Sequence, residues 1–591
     1  MPFASATFAE RYEGMLVTFP DDHDMVVTET FNFGRFGELL LTTDERQWTP
    51  THLVDPGPAA TALQTSVLLD RIVLDDGRND QNTDPTVFPD GGLSASNTIR
   101  VGDTVVGGSF VLEQRFGAYR LQPTSDRPEF LPTNPRPVES PDVGGSLRVA
   151  AMNVLNYFTT FDTIRGSGNG PDICGPLANL ECRGANTDFE FQRQRTKIVE
   201  AILGLDASVV GLMEIENNDH ASSEDLVNGL NAETAPGTWA YVDTGTIGTD
   251  AIKVALIYRP ADVTPVGPHA ILDSTVDVRF DDTRNRPALA QTFDADGGRF
   301  TVVVNHLKSK GSACGGAPDD DLSLGGAGNC NLTRTRAAEA MVDWLAGDPT
   351  QSGDRDVLVI GDLNSYAKED PIDVFVEAGY TDTLAASLGS EAYSFVFQGQ
   401  SGYLDHGLAS PTLAGQVTGA AEWHINADEP PVLDYNDDFK TANHVDTLYA
   451  PTAYRSSDHD PLVVGLDLLD YDFDGFLPPV DVSELNVVTA GSTIPIRFTL
   501  GNATGLDVLF ANPVSRQFDC ATGEPIDGWD ATNAIAGLTN DDPPHYTYDW
   551  KSEKGWAGTC RTFELVLDDG HHQQANFQFR GGTGSTNSAK K

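Results

Sequence analysis

Six short polar groups each close an apolar run: Asn153 and Asn156 in AMNVLNYF, Glu214 in VVGLMEIENN, His306 with Lys308 and Lys310 in VVVNHLKSKGS, Asp362 and Asn364 in VLVIGDLNSY, Asp405 and His406 in GYLDHGLAS, and Ser457 to Asp460 in SSDHDPLVVGL. Carboxylate and amide oxygens are ligands for a hard cation. Imidazoles exchange protons near neutral pH, and ammonium groups attract anions. One such group is what any strand end with a solvated polar cap looks like. Six of them between residues 153 and 460 point to one shared site.

The elements that must position them alternate in type. Leu147–Val154, Ser208–Leu212, Val254–Tyr258, Phe300–Val304, Val357–Ile360 and Pro461–Leu466 have strand composition, while Asp188–Leu203 and Thr333–Leu345 read as amphipathic helices. Apolar strands that each end in polar residues predict a two-layer core with the site at the strand ends.

Composition narrows the possibilities. The chain has 591 residues, with 38 Lys and Arg against 87 Asp and Glu, a net charge of −49. Its length predicts several domains, and 39% hydrophobic residues exclude a wholly disordered acidic chain. A basic nucleic-acid-binding protein of the usual kind is excluded as well. Arginine supplies 28 of the 38 basic residues. An acid-rich, lysine-poor surface fits a protein working in high salt, where self-repulsion is screened. The alternative is an ordinary secreted acidic protein. No apolar run is long enough to span a membrane.

The cysteines cluster as Cys174/Cys182, Cys314/Cys330 and Cys520/Cys560, so nearest-neighbour disulfides and an oxidising compartment are expected. The opening MPFASATFAERYEG has no basic stretch followed by an apolar one. The expectation is a secreted protein whose signal peptide has been removed.

Pro-rich polar sequence from Pro123 to Pro141 predicts a stiff linker over residues 123–144. Before it, residues 1–122 carry strand-like runs at Gly14–Phe19, Met25–Phe31, Glu38–Thr42 and Thr104–Glu113. They predict a small closed β-domain resembling an OB fold. After Leu466 the composition changes, which predicts a C-terminal β-domain over 469–580 and a disordered tail over 581–591. Asp470, Asp472, Asp474 and Gly475 match the opening of an EF-hand loop. The twelfth position is Asp481 rather than Glu, and Pro478 and Pro479 interrupt the loop.

Over residues 145–468 the order of GDLN and SDHDP, with the groups before them, resembles the endonuclease/exonuclease/phosphatase superfamily. That fold is shared by pancreatic-type deoxyribonuclease, abasic-site endonucleases and inositol-phosphate phosphatases. CRGANTDFEFQRQRTKIVEAI, LMEIENN, NHLKSKGS, GDLNSYAKEDPI and YLDHGLAS together resemble ExeM-type extracellular nucleases. YEGMLVTF, FGRFGELLL and LDDGRNDQN resemble the β-domain that precedes the catalytic domain there. YDFDGFLPPVD and NVVTAGSTIPIRFTL resemble the secreted β-domain named for a Pro-x-Lys-Phe motif, with Arg497 in place of Lys between Pro495 and Phe498. The resemblance implies an α+β protein, a four-layer α/β/β/α sandwich flanked by two small β-domains.

The resemblance also implies roles. Glu214, Asn153 and Asp458 would hold Mg2+ or Mn2+, with Ca2+ as a candidate structural ion. Asp362 and Asn364 would orient the attacking water, and Asp405 would fix His459 and raise its pKa. His306 would stand on the leaving-group side as a general acid. Whether Asp362 or His459 is the base is left open, as is whether Asp243 or Asp250 orients His306. Asn156, Lys308, Lys310 and Arg286 would bind substrate, with Arg284 a close rival to Arg286. Arg299, Arg334 and Arg336 add to the basic residues placed near His306.

The function implied is a secreted, metal-dependent deoxyribonuclease of low sequence specificity. DNA would be the substrate and RNA the second candidate. The chain would be monomeric, with no membrane contact and no protein partner. Its rivals are a phosphatase or phosphodiesterase of the same fold acting on small esters, and a non-catalytic adhesion or matrix protein.

Overall fold

The computed structural model describes residues 3–581 apart from 20–22, 164–169, 296–297, 502, 504, 507 and 543. Two six-stranded sheets pack face to face at its centre. The first runs, in spatial order, Ala240–Tyr241, Ile252–Tyr258, Val209–Glu216, Leu147–Tyr157, Leu462–Leu466 and Val417–Glu422. The second runs Thr264–Leu272, Arg286–Ala295, Gly298–His306, Val357–Asp362, Asp405–Ala409 and Thr381–Asp382.

Val149, Val209, Leu289, Val304 and Ile360 fill the space between the sheets. Helices Asp188–Leu205 and Ala221–Glu233 cover the outer face of the first, through Ile198, Ile202, Leu226 and Leu230. Helices Asn331–Ala346 and Asp370–Glu377 cover the second, through Ala338, Met341 and Phe375. Both faces of each sheet are covered, which is why runs such as VLVI at 357–360 are apolar throughout rather than alternating. The expected α/β/β/α sandwich is the fold observed. Helix Asp188–Leu205 starts where the sequence predicts: Thr187 accepts from the Glu190 N–H at 3.2 Å, and Glu190 accepts from the Asn186 N–H at 2.9 Å.

The N-terminal region departs from the expected OB-like closure. It forms an eight-stranded sheet, and no pairing among the described residues joins its end strands, Leu16–Thr18 and Glu129–Leu131. The expected Thr104–Glu113 strand is broken at Gly107 and Gly108, at φ 66° and 83°, into Thr104–Val106 and Ser109–Arg115. Helix Pro58–Leu69 is unforeseen, because its sequence, PAATALQTSVLL, has no marked polar face. The Pro-rich segment is not a free spacer. Glu129–Leu131 pairs with Thr104–Val106, and Arg136 holds Glu429 through two bonds of 2.8 and 2.6 Å.

The C-terminal region is a β-sandwich of a four-stranded and a five-stranded sheet around Trp550, Phe563 and Phe577. Phe498 is buried and Arg497 exposed on strand Thr493–Leu500. Phe473–Leu477 is an extended strand, which does not wrap an ion as an EF-hand loop must.

The expected disulfides are all present, as Cys174–Cys182, Cys314–Cys330 and Cys520–Cys560. The third is confined to the C-terminal sandwich. Cys560 is fully buried at the start of strand Cys560–Val566, which pairs on one side with Val514–Phe518 and on the other with His572–Arg580. Its bridge ties the turn after Phe518 back onto the neighbouring strand, a purely structural cross-link. Among the described residues no helix is long and apolar enough to cross a membrane. The expected tail lies outside the described residues beyond 581.

Candidate active site

Strand register brings the groups together. In the second sheet His306 pairs with Asp362, and Asp362 pairs with Asp405 on its other side. Three neighbouring strands therefore present an imidazole and two carboxylates at one end. Gly361, at φ 119°, lies so close to the Asn305 carbonyl that a Cβ there would sit 2.2 Å from its oxygen, so only glycine lets the two strands meet at this point. In the first sheet the register slips between Asn153 and Tyr157 and between Leu212 and Ile215. Leu155, Asn156 and Glu214 adopt left-handed backbone at φ 48°, 53° and 65°. Such irregularities re-aim side chains at strand ends. Here they turn Asn156 onto Glu214, whose Oε2 accepts from the Asn156 N–H at 3.1 Å and from its amide nitrogen at 2.8 Å.

Glu214, His306, Asp362, Asn364 and His459 line one cleft of about 760 Å³. His459 Nδ1 lies 2.7 Å from Asp405 Oδ2, and the Ser394 hydroxyl donates to the same oxygen at 2.7 Å. Burial works against charge on His459, but Asp405, Asp458 and Asp362 override it and hold its pKa well above the ordinary value. His306 is the opposite case. Burial, then Arg286 and His459, push its pKa well below the usual value, so it is neutral. His306 Nε2 is 3.5 Å from Asp362 Oδ2, and its Nδ1 has no hydrogen-bond partner among the described residues.

Burial raises Asp362 to about 7 against the pull of His459, with Asp405 and Glu214 adding to the rise. Asn364 is fixed beside it: its N–H donates to Asp362 Oδ1 at 2.8 Å, and its amide donates to the Leu307 carbonyl at 3.1 Å.

Neither acid expected to orient His306 reaches it. Asp250 lies between Arg286 at 3.1 Å and Arg183 at 2.7 Å. Burial alone would raise its pKa, and the two guanidiniums overcome that and lower it. Asp243 accepts from the Gly245 N–H at 3.1 Å within its own turn.

The expected basic residues separate into two kinds. Arg286 is buried at a strand start whose backbone pairs with His306. Arg183, Arg284, Arg286 and Lys308 line a pocket that shares Ser309 with this cleft. Arg183 went unassigned in the sequence, although it follows Cys182. Lys308 folds back on Ser309 and Ser312. Lys310 reaches the cleft but is tied to Glu369 and to the Ala327 carbonyl, and burial lowers it to about 8. Arg334 is buried and braces the Lys308 and Asn329 carbonyls. Arg336 is exposed. Arg299 opens the strand that His306 ends, about 20 Å away, and does not belong to the site. His406 is buried on the Ser365 carbonyl at 2.8 Å, a packing role. Cys520 and Cys560 also stand apart from the site, because no residue of the C-terminal sandwich is among those lining the cleft.

The N-terminal region supplies a wall that the sequence did not reveal. Thr49, Pro50, Thr51, Gln64 and Leu68 line the cleft. Strand Gln47–Trp48 pairs with Gln400–Gly402, which pairs with Phe395–Phe397, and the Phe395 ring stacks on His459 at 4.6 Å.

The donor set fits a hard cation. Burial and then the charge of Asp458 raise Glu214, and Asp362 is raised close by, so positive charge between these carboxylates would relieve their repulsion. Asn153 adds an amide oxygen, which accepts from the Leu155 N–H at 2.9 Å and has a second lone pair to offer.

Residues 178–459 match the Endonuclease/Exonuclease/phosphatase family. The match takes in Glu214, His306, Asp362, Asn364 and His459 and stops short of Asn153 and Asn156. No curated protein sequence matches the chain. Among solved structures, the human Nocturnin catalytic domain with bound sulfate is 15% identical, covering 54% of this chain and 92% of that one, with a TM-score of 0.31. CopC from Methylosinus trichosporium OB3b is 16% identical, covering 19% and 94%, with a TM-score of 0.12.

Proposed function

We propose that the endonuclease/exonuclease/phosphatase domain of this chain is a divalent-metal-dependent nuclease that hydrolyses phosphodiester bonds of DNA with low sequence specificity. We place it in a secreted protein adapted to high salt. The observation that carries this reading is convergence. Five residues from four strand ends line one cleft, and a chain of net charge −49 sets four cations against two carboxylates, Asp250 and Asp282, in the adjoining pocket. That contrast favours a substrate with several phosphates. The matched family is one of typically metal-dependent hydrolases, and three disulfides support an oxidising compartment.

Glu214, with Asn153 and Asp458, would hold Mg2+ or Mn2+, which supplies charge neutralisation at the phosphoryl oxygens and the leaving oxygen. Asn364 orients the attacking water, and Asp362, poised near neutrality, accepts its proton. Of the two candidate bases Asp362 is favoured, because Asp405 keeps His459 protonated. His459 then donates a hydrogen bond to a phosphoryl oxygen. His306, held neutral, serves as a hydrogen-bonding group at the phosphate. This departs from the general-acid role the resemblance implies. Water adds to phosphorus as the P–O3′ bond breaks, and the departing O3′ takes a proton from solvent, leaving a 3′-hydroxyl and a 5′-phosphate.

The test is incubation with supercoiled plasmid, linear duplex, RNA and para-nitrophenyl phosphate, with and without EDTA. Chelator-sensitive nicking of closed circles is expected. Turnover of the small ester alone, or undiminished cleavage after exhaustive chelation, overturns the reading.

A further inference from the structure

The C-terminal sandwich meets the central domain at the start of strand Val357–Asp362, the end away from the active site. Asp354, Asp356 and Asp569 are 4%, 0% and 1% exposed there. Ligand atoms of Asp470, Asp569 and His571 lie within 4.8 Å of one another. His571 Nδ1 is 3.1 Å from Asp569 Oδ2, and its Nε2 is 3.6 Å from Asp354 Oδ2. One imidazole thus faces several carboxylates. Arg299, close enough to bear on His571, is itself 3.8 Å from Asp294.

A second observation concerns satisfaction rather than charge. Asp356 Oδ2 accepts from Gln416 at 2.5 Å, and Asp354 Oδ1 accepts from the Asp356 N–H at 2.8 Å. The other oxygen of each, Asp356 Oδ1 and Asp354 Oδ2, has no hydrogen-bond partner among the described residues. Both side chains face the 569–571 turn: a Cβ on Gly570 would lie 2.3 Å from Asp354 Oδ1 and 2.6 Å from Asp356 Oδ1. Buried carboxylate oxygens without donors are costly. A divalent cation that accepts carboxylate oxygen and imidazole nitrogen is the partner that such a cluster suits.

We propose that Asp470, Asp569 and His571, with the buried Asp354 and Asp356 behind them, hold a divalent cation that pins the C-terminal sandwich to the central domain. Asp470 thereby acquires a use its EF-hand-like spacing did not provide, since strand Phe473–Leu477 takes Asp474 away from it. The six-residue strand Val357–Asp362 sets this site about 20 Å from the catalytic cleft.

The test is calorimetric titration of the full chain with Ca2+ in a Glu214→Gln background, where the cleft ligand is impaired. One equivalent is expected to bind and to raise the unfolding temperature. Asp356→Asn should abolish that binding, and Asp470→Asn, at a partly exposed position that tolerates an amide, should weaken it at least about tenfold. Limited proteolysis at residues 467–472 should slow when Ca2+ is added to the parent and not to the Asp470→Asn chain. A parent that binds no Ca2+, or unchanged affinity in a folded Asp470→Asn chain, overturns the proposal.

Discussion

Thr51 donates a 2.8 Å hydrogen bond to Glu369, 318 residues further along the chain, and the other oxygen of Glu369 holds Lys310 at the candidate active-site cleft. The N-terminal domain therefore helps to set the position of a cleft cation. Burial lowers the pKa of Lys310 to about 8, and Glu369 opposes the fall. Glu369→Gln should leave Lys310 less charged and less fixed. KM for DNA should rise several-fold while kcat changes little, and Thr51→Val should do the same more weakly. Steady-state kinetics at low salt would decide. An unchanged KM in a folded Glu369→Gln protein would mean that Lys310 does not meet the substrate.

His459→Ala, His306→Ala and Asp362→Ala should each keep the fold and lower turnover by about 10²-fold or more, the loss expected on removing proton-transfer or phosphate-contacting groups. Asp405→Asn should follow His459→Ala, because the amide no longer stabilises the imidazolium. Circular dichroism and plasmid nicking together make the test. Near-parental turnover in any two of the alanine variants would show that the cleft is not where the chemistry happens.

The candidate site was legible because its groups lie at the ends of buried strands, and neighbouring strands place their ends together. GDLN and SDHDP also bring a known order with them. What could not be read was anything set by contacts between distant segments. Helix Pro58–Leu69 is weakly amphipathic, and its place at the cleft follows from domain docking, as with the hydrogen bond from Gly57 to the Gly325 carbonyl at 3.1 Å. The partner of Asp250 was equally hidden. Two guanidiniums compete for it, and Arg183 lies over a hundred residues before Arg286. Arg299 was misplaced for a simpler reason: nearness in sequence along an extended strand is distance in space.

The Cys314–Cys330 bridge closes a loop that the cleft depends on. Leu322 and Leu324 line the cleft from it, and its Ala327 carbonyl accepts from Lys310 at 2.7 Å. Replacing both cysteines by serine should loosen this wall and raise KM several-fold before global unfolding is affected. The chain-entropy model gives about 3 kcal/mol for a loop of this size, while two six-stranded sheets hold the rest of the domain. Thermal melts beside kinetics would separate the two effects. Unchanged KM with a lowered melting temperature would assign the bridge to stability alone.

Salt should raise activity over a broad range. A nuclease that binds DNA through many surface Lys and Arg contacts loses affinity steeply as salt rises. This chain carries −49 overall, and at low ionic strength that field repels both DNA and the chain itself. Its cations near the cleft are held close in: Arg286 is buried against Asp250, and Lys308 folds onto its own turn. At about 0.5–2 M salt the screening length falls to a few ångströms, so the long-range repulsion fades while contacts inside the cleft persist. The optimum is expected at or above about 0.5 M NaCl, with loss of activity or stability in dilute buffer. A titration in which cleavage falls monotonically from about 50 mM upward would show that the counterion-release penalty outweighs the screening of the acidic surface.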